Sequence, residues 1–223
     1  MDRELAFSTF LKLLELPRRD KAATLRGFKR AGGFNYWRPM TKLAPKVAKG
    51  SLDLSDIQEE VGNLAKGHQR KYNINALTNL LKWTSRRRLT MRKSPGRLVK
   101  EFGSTGLKVR IEPELSFAMQ GNEYLVHLWA TTNPTLSEET LSMGLFFFRY
   151  HFRKNGYENH RYLILDTVKD RMFSEVGIID HMPDMLREQG EILSSLWADI
   201  NREIERAREK GADDHIITGP GGT

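Results

Sequence analysis

Apolar residues follow a helical period through roughly the first hundred positions of this chain and an alternating one after that. Leu5, Phe7, Phe10, Leu11, Leu13, Leu14 and Leu16 recur at helical spacing until Pro17 stops them, which predicts an opening helix. A second helix is expected over Lys21 to Arg30, with Leu25 and Phe28 inward and the Gly32-Gly33 pair ending it. Pro39 and Pro45 bracket a short segment. Ser51 and Leu54-Ser55-Asp56 then offer caps to a helix through Ile57, Val61 and Leu64, and Asn73 to Trp83 reads as another helix.

The period changes at Leu107. Leu107, Val109 and Ile111, then Leu115, Phe117 and Met119, alternate with polar residues, and Glu112-Pro113-Glu114 interrupts them, predicting strand with a bulge or edge position at Pro113. Gln120-Gly121-Asn122 is a turn into the β-prone run Tyr124 to Trp129, so a hairpin is expected. Ser137 caps a helix through Leu141, Leu145, Phe148 and Phe152, closed by Asn155-Gly156. Arg161 to Thr167 reads as a buried strand, extended by Met172-Phe173, and a long helix runs from about Pro183 to Lys210. The expected class is α+β. A helical bundle over residues 1–102 precedes a mixed α/β domain over 103–210 (strand hairpin, helix, strand, long helix) and a flexible tail over 211–223.

Charge sharpens that division. The net charge is +8, with 23 Lys/Arg against 9 Asp/Glu up to Phe102 and 13 against 19 beyond it. A basic first half is what a nucleic-acid partner requires. Attraction between the halves, pairing with a partner protein, or an anionic membrane surface are the other readings of the same asymmetry. The absence of cysteine excludes disulfides, thiolate zinc sites and cysteine nucleophiles, and fits the reducing cytoplasm, the expected location. No run approaches the roughly 18 apolar residues of a membrane span, and Met-Asp-Arg-Glu is too polar to open a signal peptide.

Two segments of the first half carry candidate binding chemistry. Phe34-Asn35-Tyr36-Trp37-Arg38-Pro39 can stack bases among its neighbouring cations, although such a cluster is more often a core plug under a turn. Arg86, Arg87, Arg88, Arg92 and Lys93, with Arg97 close behind, form a dense cationic run ending in turn residues: a linker or the edge of a nucleic-acid surface.

From residue 107 to 210, the order strand hairpin, helix, strand, helix and the Pro113-Glu114 pair resemble the core of the restriction-endonuclease-like, or PD-(D/E)XK, superfamily. That resemblance implies a nuclease-like fold in which an acid after proline and an acid-x-Lys triplet on the next strand hold Mg²⁺ or Mn²⁺, with Glu114 as the first metal ligand. The second element departs from the pattern. Val126-His127-Leu128-Trp129 puts His127 for the acid and Trp129 for the lysine, and Glu123-Tyr124-Leu125 has no lysine either. Glu114, Glu123, His127 and Asp166 are therefore the candidate catalytic residues, with Glu112 in reserve. Asp166, at the end of a hydrophobic strand, has a turn cap as its ordinary explanation. No phosphate-binding Gly-rich loop precedes a helix, no His-Glu-x-x-His occurs, and no small-molecule cofactor is implied. The expectation is a nucleic-acid-binding protein on a non-catalytic nuclease-like scaffold; the alternatives are a metal-dependent nuclease with an irregular site or a structural subunit of a protein complex.

Overall fold

The computed structural model describes residues 4–31, 36–102, 106–175 and 181–209. The chain opens with a strand, β1 (Glu4–Ala6), and only then enters α1 (Phe7–Glu15). The helical period expected from Leu5 onward thus starts two residues late. Main-chain groups of Glu4 to Ala6 pair in parallel with β4 (Lys108–Ile111), Leu5 opposite Val109, and a partner 104 residues away leaves no local signal. β3 (Leu98–Glu101) pairs antiparallel with β4 from its other side, completing a three-stranded sheet.

α2 (Arg18–Ala31) packs against the last helix, α7 (Met182–Glu209). Leu5, Phe10, Leu13 and Leu25 are fully buried in one core with Phe102, Val109, Phe148, Ile164 and Leu193. The expected boundary at residue 102 therefore does not separate a self-contained helical bundle. Burying each such side chain is worth about 1.5–3 kcal/mol, and α1 and α2 find that burial on the second half of the chain.

Three helices do form a separate layer. α3 (Arg38–Ala48) begins with Pro39 and carries Pro45 inside it, so the two prolines that seemed to bracket a short segment lie within one helix. α4 (Leu54–Leu64) starts at Asp53, whose carboxylate accepts from Asp56 N while Asp56 accepts from Asp53 N; this reciprocal cap, rather than Ser51 or Leu54-Ser55-Asp56, sets the boundary. α5 (Gly67–Ser85) completes the layer.

β5 (Leu115–Met119) and β6 (Asn122–Trp129) form the expected hairpin, closed by Gln120 and Gly121 with φ of 51° and 75°, the left-handed pair a tight two-residue hairpin needs. α6 (Glu138–Phe152) is capped by Ser137 as expected and crosses over to β7 (Arg161–Asp166), parallel to β6. Met172 and Phe173 do not extend β7 but lie in β8 (Arg171–Ser174), which folds back antiparallel to it. With β2 (Thr90–Met91) the sheet order is β2-β5-β6-β7-β8.

Alternation along these strands feeds two cores. Leu125, Trp129, Tyr162 and Ile164 join α1, α6 and α7 on one face, while Leu115, Phe117, Val126, Leu128, Leu163 and Leu165 join α3 to α5 on the other. The α+β class holds. β4 and β5, which read as one strand bulged at Pro113, belong to different sheets, and Glu112-Pro113-Glu114 is the crossing between them. Among the described residues no helix is long and apolar enough to cross a membrane. Gly32, Gly33, Phe34, Asn35 and the 211–223 tail lie outside the described residues.

Candidate functional site

The crossing between the sheets positions the first candidate. Pro113 is buried, and Glu114 stands one residue before β5, where the pairing of Leu115 with Val126 sets it beside His127 on β6. One oxygen of Glu114, Oε2, accepts from both the Leu128 backbone N–H and His127 Nδ1, each at 2.9 Å. A carboxylate at Nδ1 selects the tautomer protonated there and leaves the lone pair on Nε2. That Nε2 is buried without a hydrogen-bond partner, and the Phe7 ring meets the imidazole edge-on at 4.8 Å. An unpaired buried acceptor costs roughly 1–3 kcal/mol, which the two hydrogen bonds to Glu114 and the packing of Phe7 must offset.

The structure brings Glu114 and His127 together but not the other two acids. Glu123 lies four residues back along β6, roughly 13 Å by strand rise, and accepts from Arg92 Nε at 3.1 Å. Asp166 pairs with Trp129, on the strand beyond β6 from Glu114. Its Oδ1 accepts from the backbone N–H of Val168 and Lys169, each at 3.0 Å, and Oδ2 from Arg171 at 3.2 Å, so it caps the turn into β8. Trp129 is buried among the α1 and α6 side chains and forms part of that core. Among the described residues no three His, Asp or Glu side chains gather as a metal would require. Glu114 and His127 alone do not make the oxygen-rich Mg²⁺ or Mn²⁺ site that the resemblance implies.

A larger feature surrounds this pair. A groove of about 670 Å³ runs between α3, the segment from Met91 to Pro95 and the crossing from Arg110 to Glu114, with His127 and Leu128 among its lining residues. Six cationic side chains line it, Arg38, Lys42, Lys49, Arg92, Lys93 and Arg110, against two acids, Glu112 and Glu114. Two of the expected nucleic-acid residues, Arg92 and Lys93, are thus in the groove. The other four are elsewhere: Arg87 lies over the Trp83 ring at 4.3 Å, Arg86 is 4.0 Å from Asp170, Arg97 is 3.8 Å from Glu4, and Arg88 is exposed.

Lys42 and Lys49 were not singled out from the sequence, nor was Arg110, and Arg38 entered only as part of the aromatic segment Phe34 to Pro39. Their signal was present: 38, 42, 45 and 49 recur at steps of four, three and four, one stripe of a helix. It was hidden by reading the two prolines as helix breaks.

Asn73 of α5, fully buried, fixes the groove's outer wall. Its Oδ1 accepts from Met40 N at 2.9 Å, an N–H of the first turn of α3 that has no partner within the helix, and its Nδ2 donates to Tyr36 O at 3.1 Å and Gln69 O at 2.8 Å. Trp37 lies at the groove and packs in part on the α3 to α5 core, so it is both plug and wall. Burial, with Tyr72 alongside, pushes the Tyr36 phenol above its ordinary pKa. No family model matches the chain, and neither does any curated protein.

Proposed function

We propose that this protein binds nucleic acid through the groove between α3, β2 and the β4–β5 crossing, on a nuclease-like scaffold without a two-acid hydrolytic centre. The observation that carries the reading is the charge of the groove, six cations to two acids converging from three separate parts of the chain. Such a concavity concentrates its field and attracts a polyanion, and phosphate contacts release counterions on binding. A cysteine-free chain of this kind fits the cytoplasm.

The deciding measurement is fluorescence anisotropy of a labelled oligonucleotide titrated with the protein at two salt concentrations. Affinity should fall steeply as salt rises. Binding that is absent, or indifferent to salt, refutes the reading and favours a structural subunit whose groove receives an acidic protein. The pairing of Glu114 with His127 in the groove keeps a nuclease reading open to test. Incubation with plasmid and single-stranded substrates in Mg²⁺ or Mn²⁺ is expected to give no cleavage; cleavage abolished by Glu114→Ala would replace the binding reading with an enzymatic one.

A further inference from the structure

We infer that the nucleic acid this groove takes is single-stranded, with unpaired bases stacking on an aromatic run that leaves the groove over the first turns of α5. The inference rests on the nucleic-acid reading above and adds which form is bound and where.

Three rings form the run. Trp37 lines the groove, Tyr36 meets it edge-on with centroids 5.1 Å apart, and Tyr72 stands 6.4 Å beyond Tyr36. Tyr72 is 40% exposed, so part of its ring is open to a stacking partner. A stacking platform needs an accessible ring face, and only an unpaired base can present its own face to it. A duplex keeps its base faces stacked inside and offers phosphates and base edges, which the groove cations would bind without the rings.

The helix beneath the run independently calls for an anion. α5 has no acidic residue in its first turn, and its N-cap is Lys66. His68, Arg70 and Lys71 follow, all exposed, as is Lys66. Cations at the positive end of a helix dipole oppose it, so this turn is electrostatically unfavourable in the free protein and is relieved by a passing phosphate chain. One exposed ring and two partly exposed ones, flanked by cations and continuous with a basic groove, match the combination by which single strands are held without regard to sequence.

Tyr72 is the position to test, because Trp37 precedes α3 and packs on the core whereas Tyr72 stands on the surface. Labelled single-stranded DNA and RNA of about 16 nucleotides and the matching DNA duplex are titrated by anisotropy at two salt concentrations, with thermal melting as the check on folding. The single strands should bind more tightly than the duplex. Tyr72→Ala should weaken single-strand binding roughly 5- to 100-fold without a matching loss on the duplex or in melting temperature, and Tyr72→Phe, which keeps the ring, should restore it. Duplex binding as tight as single-strand binding overturns this inference and leaves the nucleic-acid reading standing. So does a Tyr72→Ala variant that loses nothing on single strands, or that loses equally on both. Failure of all three probes to bind in a salt-dependent way overturns the nucleic-acid reading itself.

Discussion

Replacing Lys42 and Lys49 together by alanine tests whether the groove works as an electrostatic site. Both are exposed, Lys42 on α3 and Lys49 as its C-cap, they lie seven residues apart on one helical stripe, and alanine is the best helix former, so the helix should survive. If each of the six lining cations meets one phosphate, the slope of log affinity on log salt is about −4 for a single strand, at about −0.7 per contact. Binding would then weaken roughly three-hundredfold between about 50 and about 200 mM salt. Removing two contacts should bring the slope to about −3 and the loss to about fiftyfold. Anisotropy titrations at four salt concentrations, run beside the parent protein, measure both slopes. Weaker binding at every salt concentration with an unchanged slope would show that the two lysines do not meet phosphates, and would refute the argument from groove charge.

Three further outcomes probe the scaffold. Asn73→Ala should destabilise the protein by about 1–3 kcal/mol in urea unfolding, because it leaves the Met40 N–H without its buried partner while the Tyr36 carbonyl keeps Gln69 Nε2; a loss under about 0.5 kcal/mol would deny Asn73 that role. Gly144→Ala should cost about 1–3 kcal/mol despite the better helix propensity, since the added Cβ would lie 2.2 Å from Leu11 Cδ2 in the fully buried contact of α1 with α6; unchanged unfolding would mean that Leu11 can move aside. Burial, with Lys100 and Lys154 nearby, holds the His151 pKa down to about 4 from its ordinary 6.5. As pH falls below 6.5 the unfolded chain takes up this proton before the folded one, so stability present above pH 6.5 is lost progressively down to about pH 4 and no further below it. The loss is about 1–2 kcal/mol after allowing for solvent screening of a half-buried ring, and a His151→Gln variant that keeps the same loss over this window would assign it to other groups.

What the sequence by itself determined were the local elements and the charge they carry. The β5–β6 hairpin, the Ser137 cap of α6, β7 and the long α7 all come from periodicity and turn chemistry within a few residues, so they were legible one segment at a time. So was the nearness of Glu114 to His127, because a tight hairpin at Gln120-Gly121 fixes the register of both strands. Pairings that join distant residues were left to the tertiary structure. Leu5 continues the α1 apolar pattern in sequence, yet β4 draws Glu4–Ala6 into a strand; Val109 and Leu115 both alternate, yet they enter different sheets. The groove was decided at that level too. Arg92 and Lys93 were visible as a charge run, but Arg38, Lys42 and Lys49 join them only because Asn73 caps α3 from another helix, and Arg110 only because the chain crosses between sheets at Pro113. Periodicity tells which side of an element seeks burial, but not which distant surface will cover it, and a binding groove is made where such surfaces meet.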